Sequence, residues 1–290
     1  MGQNCNYGIN TKARKKMKTN QIKSLALVLM FLWTNQTIAI LPKSGLGARS
    51  TALGNSSITL TDFWSQFNNQ AGLANNSNFK IGSSYENRFL LKSLSIKTIG
   101  VLIPVVKGSF GLNIIHFGDP NYNEMNIGLG YGRKLSKNLS VGIQFDYFTV
   151  KQGNDYGSKS TITFEGGFIY TVDEKIKIGG HLYNPHFKSN TDNHAILPEI
   201  YRLGLEYLIN KDLTAYFEAK NQSDLGSSLH FGIEYIYKSF VFRSGYASNP
   251  DQFTFGFGFH KKQLSLDFSS TIHSVLGYTP QLSLIYTFQR

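Results

Sequence analysis

Cysteine is all but missing from this chain: the one residue of its kind, Cys5, stands in a basic leader. Beyond that leader there is no thiol, which excludes disulfides, thiolate metal sites and a cysteine nucleophile. Nor is there a cysteine at the end of the apolar leader core, so a lipoprotein anchor is excluded. Charge is scarce, at 16% of 290 residues. No apolar run approaches the roughly 20 residues that a membrane-crossing helix needs. Amphipathic helical periodicity is missing too, so no layer of helices is available to cover an apolar sheet. An exported protein lacking disulfides and helices needs another source of stability, and a closed sheet is one.

The net charge of +11 invites a nucleic-acid reading, but the excess is local. Residues 1–39 hold Lys12, Arg14, Lys15, Lys16, Lys18 and Lys23 and no acid; without those six of the 29 basic residues, set against 18 acids, the excess falls to +5. Met17–Ala39, MKTNQIKSLALVLMFLWTNQTIA, has the order of a secretory signal: basic Lys18 and Lys23, an apolar core from Leu25 to Trp33, then Thr-Ile-Ala before Ile40. Residues 1–39 therefore read as an extension plus a cleaved signal, with Met17 the expected start. What remains has no basic cluster, and nucleic acid is excluded as a partner.

What is present is strand sequence. The 22 Phe and 16 Tyr suit strands and membrane interfaces. From residue 78 onward fourteen candidate strands alternate apolar and polar positions. In MNIGLGYG, Met125, Ile127, Leu129 and Tyr131 share one face, opposite Asn126, Gly128, Gly130 and Gly132. FTFGFGFH sets Phe253, Phe255, Phe257 and Phe259 against Thr254, Gly256, Gly258 and His260. Tight turns at 107–108, 135–138, 172–175, 210–212, 237–239 and 260–263 alternate with longer connections at 87–93, 118–123, 151–159, 184–197, 221–227, 247–252 and 270–277. Short periplasmic turns, longer outer loops and an even strand count are the layout of an outer-membrane barrel with both termini periplasmic. Lipid then covers the apolar face that no helix can cover.

Chemistry-bearing motifs are weak. Gly128-x-Gly130-x-Gly132 continues a strand and opens no helix, so it reads as room made in a crowded lumen rather than a phosphate loop. His116, His181, His186, His194, His230, His260 and His273 show no metal-ligand spacing, and no Ser/His pair stands out. Neither an enzyme, a cofactor nor a metal site is expected. Strand parity does send charges of both signs inward: Asp146, Glu165, Glu206, Glu234 and Asp267 with Arg202, Lys220 and Arg243. Inside a narrow barrel these cost free energy unless paired or hydrated, which points to a network that fills the lumen or pins a plug, or else to the lining of a path for a small polar solute.

The stretch GARSTALGNSSITLTDFWSQFNNQAGL (47–73) lacks alternation, apart from a short helical turn expected within Thr61–Phe67. It resembles the N-terminal signature of PorV/PorQ-type and FadL-like (OmpP1-like) outer-membrane proteins, through Gly47, Ala48, Arg49, Gly54, Asn55, Asn69, Ala71, Gly72 and Leu73. Where that signature has Asn-Pro, this chain has Asn69-Gln70. The resemblance implies an N-terminal hatch folded into the barrel from the periplasmic side. The expectation is thus all-β: a 14-stranded antiparallel transmembrane barrel over 78–290, plugged by 40–77, in the outer membrane of a Gram-negative bacterium. The expected role is a non-enzymatic accessory or scaffold barrel of the PorV/PorQ type, binding envelope or type IX secretion proteins. The alternative is a FadL-like gated transporter of small hydrophobic molecules. Arg49 is expected to anchor the hatch on Glu206 or Glu234, with Phe63 and Trp64 packing it on the barrel floor.

Overall fold

The computed structural model describes residues 45–153, 157–185 and 197–289, all in the second of two units, residues 1–40 and 41–290. The leader, His186 and His194 lie outside the described residues. Alternation of apolar and polar side chains over runs of eight to fourteen residues is realised as fourteen strands. They are β1 Lys80–Asn87, β2 Ser95–Val105, β3 Gly108–Gly118, β4 Tyr122–Lys134, β5 Leu139–Gln152, β6 Ser158–Thr171 and β7 Ile176–Tyr183, followed by β8 Ile200–Asn210, β9 Leu213–Gln222, β10 Gly226–Tyr237, β11 Phe240–Ala247, β12 Gln252–Lys261, β13 Leu264–His273 and β14 Gly277–Thr287. Each pairs antiparallel with its neighbours in sequence, and β1 closes on β14 from Lys80↔Thr287 to Glu86↔Gln281. A closed sheet leaves no edge and satisfies its own backbone.

The two faces follow the parity expected of them. Phe253, Phe255 and Phe257 point out and are exposed, while Thr254, Gly256 and Gly258 are buried inside. On β4 the same rule buries Asn126, Gly128, Gly130 and Gly132. Among the described residues no helix is long and apolar enough to cross a membrane, and the apolar outward positions all belong to strands and their connections.

The alternation of connection lengths is weaker than expected. One end does carry short turns, such as 106–107, 211–212, 238–239 and 262–263. At the other end 119–121, 223–225 and 274–276 are nearly as short, and 88–94 and 184–199 are the long ones. Polar stretches such as Ser270-Thr271, which read as the start of a loop, stay in the ladder (Ser270↔Pro280, Thr271↔Thr279). Polarity is a poor loop signal when half the strand positions face a polar interior.

Residues 45–76 run through the inside of this barrel. Helix α1, Ala48–Ala52, follows Gly47, whose φ of 92° favours glycine. A second short helix, α2 (Ser65–Asn68), is set up by Asp62, whose Oδ1 accepts from Trp64 N at 2.8 Å. A 3-10 turn, Gln70–Asn75, follows, with the Asn69 side chain accepting from Ala71 N at 3.2 Å. The helical turn expected in 61–67 is thus α2, displaced by a few residues; α1 was not foreseen. Phe63 packs on β1, where a Cβ at Gly82 would lie 2.7 Å from its ring. Trp64 instead covers Gly47 within the segment, 2.4 Å from where a Cβ there would stand.

The barrel wall is cut to fit this segment. A Cβ at Gly142 would lie 2.2 Å from the Gln70 carbonyl carbon, and one at Gly132 2.3 Å from the Gln70 oxygen, so the 3-10 turn rests directly on strand backbone. Gly142→Val should expel that turn while leaving the outward face untouched. We expect heat-modifiable gel mobility, the sign of a closed barrel, to persist while limited proteolysis of 45–77 accelerates at least tenfold.

Candidate functional site

The segment is held by charge on one wall and by amides on the other. Arg49 makes a bidentate contact with Glu234 of β10, Nε to Oε2 at 2.9 Å and Nη2 to Oε1 at 2.7 Å, and its Nη1 reaches Asp62 at 2.9 Å. Arg243 of β11 joins the same carboxylate at 2.6 Å and continues to Asp267 of β13, also at 2.6 Å; His260 meets Asp267 at 3.0 Å. Five elements are thereby tied in one chain of ion pairs, of which the Arg49–Glu234 contact is two-pronged, the geometry that suits guanidinium and carboxylate.

A second node lies on β8 and β9. Arg202 binds Glu218 at 2.6 and 3.1 Å and donates to the Asn68 carbonyl and Ser57 Oγ, both at 2.8 Å. Glu218 Oε2 in turn accepts from Ser57 N at 2.9 Å and Ile58 N at 3.1 Å. Sequence parity missed Glu218, although it stands two positions from Lys220 on the same face of β9. Glu206, named beside Glu234 as a partner for Arg49, pairs with Lys177 across β7 and β8 at 2.6 Å. Strand parity gives the face a residue takes but not its height in the barrel.

On the opposite wall Asp146 accepts from Asn126 at 2.6 Å and Gln144 at 3.0 Å. Glu165 accepts from Gln144 at 2.6 Å and from Gln70 of the segment at 2.9 Å, with His181 3.3 Å away. Gln70 stands where the resemblance expects proline. Its side chain makes a wall contact that proline has no group to make, while Asn69 ties the segment to the Ile58 carbonyl at 2.7 Å and the Phe168 carbonyl at 3.2 Å. The other signature residues serve close approach. Gly54, at φ 65°, lies against the backbone of Phe231 and Tyr246, and Asn55 has φ 67°. Ala71 is fully buried, and Gly72 faces the Leu60 carbonyl, 2.4 Å from where a Cβ would be.

A cavity of about 230 Å³ opens at the end of the barrel that carries the longer connections. Its floor is the start of the segment, Gly45, Leu46 and Thr51; its rim includes Glu86, Arg88, Phe89, Lys220 and His230. The segment therefore spans the height of the barrel, from this mouth down to Asn76, whose carbonyl accepts from Ser109 beside the turn at 106–107. At the rim Phe89 and Leu90 both adopt left-handed backbone, φ 53° and 60°, which costs bulky residues of order 1–3 kcal/mol each. A hydrogen bond from Phe89 N to Thr279 Oγ1 at 3.1 Å and edge contact with His273 hold the turn in place. Among the described residues no group of three or more His, Cys, Asp or Glu is arranged to hold a metal.

Known channels share this fold. The CymD monoaromatic hydrocarbon channel superposes with a TM-score of 0.67 at 13% identity, over 87% of this chain and 100% of that one. The toluene transporter TodX of Pseudomonas putida gives 0.63 at 12%, over 86% and 100%. A Pseudomonas aeruginosa FadL homologue gives 0.60 at 12%, over 87% and 99%. The chain shares their fold. No protein-family model and no curated protein matches the sequence. The likeness is to transport channels, and it lends nothing to the expected PorV/PorQ-type secretion role.

Arg49→Ala removes a bidentate contact to a buried carboxylate that keeps Arg243. Hydrogen bonds to charged groups are each worth roughly 1.5–3 kcal/mol, and partial exposure of Arg49 discounts this, so docking of the segment should weaken by about 2 kcal/mol. The proteolysis rate of 45–77 reports it: a rise of about 30-fold for Arg49→Ala, with Arg49→Lys intermediate because an ammonium cannot make the forked contact. An unchanged rate would remove Arg49 from the anchoring role.

Proposed function

We propose that the chain is a FadL-like outer-membrane barrel of a Gram-negative bacterium that admits small hydrophobic molecules. In this reading residues 1–39 direct export and are removed, 40–77 form a hatch whose first described residue, Gly45, lies at the outer mouth, 78–290 form the barrel, and the C-terminus is periplasmic. The observation that carries it is the cavity at the mouth whose floor is the hatch itself: its lining sets Leu46, Phe89 and Leu225 among more numerous polar side chains, including Thr51, Asn55, Glu86, Arg88, Lys220 and His230. A fold shared with a monoaromatic hydrocarbon channel and a toluene transporter supports the same class of cargo. The outward band of Phe, Leu, Ile and Tyr supports the bilayer setting. No enzymatic step is needed.

A second reading keeps the barrel as a scaffold of the PorV/PorQ type, and one observation favours it. The interior is filled: Arg202, Glu218, Glu234 and Arg243 are each less than 5% exposed. A transporter must displace the hatch, whereas a scaffold need not.

Uptake of a monoaromatic hydrocarbon into proteoliposomes separates the two. The channel reading expects uptake faster than into protein-free vesicles, and a further several-fold increase with Arg49→Ala. Background uptake by both proteins, together with recovery of a stoichiometric envelope partner by crosslinking in native membranes, would move the assignment to the scaffold.

A further inference from the structure

The outward face of the barrel is not level between β6 and β10. One cross-strand row runs Phe168, Gly180, Leu203, Ala219, Leu229, each paired in register with the next. The adjacent outward row runs Gly166, Leu182, Tyr201, Asn221, Ser227, again in register. Between them lies an inward row whose side chains leave on the other side of the sheet. Gly167 meets Asn69 inside, and Arg202 binds Glu218 inside, so on the outer side this row presents only its backbone. The result is a trench of about 480 Å³, within the roughly 300–1,000 Å³ of small-molecule sites.

Three small residues give the trench its depth. Gly166, Gly180 and Ala219 take outward positions where most neighbouring ones carry Phe, Tyr or Leu. The Phe168 ring lies down on the wall, 2.3 Å from where a Cβ at Gly180 would stand, and forms a side of the trench instead of blocking it. The direction matters as much. Five strands at 4.7–4.9 Å spacing make the rows about 19 Å long. They begin beside the 223–225 connection at the barrel mouth and end well down β6, closer to the turn at 172–175. The mouth end is polar, with Asn221 Nδ2 donating to Ser227 Oγ at 2.8 Å and Tyr201 reaching Glu199 at 3.4 Å; the deep end is Gly166, Phe168, Gly180 and Leu182.

We infer that this trench is a seat for one acyl chain of an outer-leaflet lipid. The inference rests on the membrane setting proposed above. The trench is continuous with the apolar outward band, slants from a polar rim to an apolar depth as a lipid does, and has the length of a long acyl chain. A second copy of the barrel fits less well: two concave patches facing each other leave the space unfilled, and a head-to-tail contact does not close.

Lipid carrying a diazirine on its acyl chain, reconstituted with the full barrel and photolysed, tests this by peptide mapping of the adducts. Adducts at Leu182, Tyr201 and Leu203 should exceed those at Ile99, Leu112 and Phe255, outward residues on other strands, by at least fivefold. Ala219→Phe fills the trench from a position where an aromatic is tolerated; it should abolish the enrichment with heat-modifiable mobility unchanged. Even labelling around the barrel, or enrichment that survives Ala219→Phe, would overturn the seat while leaving the membrane setting intact. No adducts on any outward residue would instead remove the membrane setting.

Discussion

The ladder between β1 and β14 is the contact on which the rest depends. Once it forms, every strand has two neighbours and no backbone edge is left to solvent or to another chain. It also commits half of all strand side chains to a lumen that the segment fills, so the polar groups sent inward must satisfy one another or the segment. Buried Arg202, Arg243, Glu218, Glu234, Asp146, Glu165 and Asp267 are the consequence. None of these charges would be tolerated in such a place alone; removal of one partner leaves the other desolvated, at a cost of several kcal/mol.

Closure also explains the composition of the segment inside. A tube with side chains on its inner wall has no room for a second layer unless the wall is pared to backbone, and Gly132 and Gly142 do this beneath the 3-10 turn while Gly232 and Gly245 do it beneath Leu53 and Gly54. Small residues on one side meet small residues on the other. What looks like low-complexity sequence in 47–73 is a surface matched to a specific wall, which is why Ala48, Ala52, Ala71 and Leu73 are wholly buried.

Most of the barrel was legible because a period of two survives in every strand and turns such as Lys107-Gly108 interrupt it cleanly. The loop ends were less so, since Ser270 and Thr271 belong to the ladder yet look like loop, for the reason that a polar lumen erases the usual contrast between strand and connection. In the interior, parity named Arg202 and Glu234 but could not say that Glu206 belongs to Lys177, because height depends on the stagger between strands and not on alternation. Helix α1 left no usable trace: five residues without a capping side chain, stabilised by Ala48 N donating to Ser283 Oγ and Thr51 Oγ1 contacting Gln281, are held by tertiary contacts alone.

The tethers of the segment are unequal, and this shapes how it could ever move. Along β8–β10 it is tied through the Arg49–Glu234 ion pair and through Arg202 and Glu218, which bind Asn68, Ser57 and Ile58, so withdrawal there breaks several hydrogen bonds to charged groups at once, although Glu234 keeps Arg243. Along β4–β6 the ties are amides, Gln70 on Glu165 and Asn69 on the Phe168 carbonyl, and Glu165 keeps the Gln144 amide if Gln70 departs. Breaking the second kind forfeits a hydrogen bond without stranding a charge. Any passage that opens while the barrel stays closed therefore costs least beside β4–β6, along the glycine-paved wall, with the guanidinium side acting as the hinge.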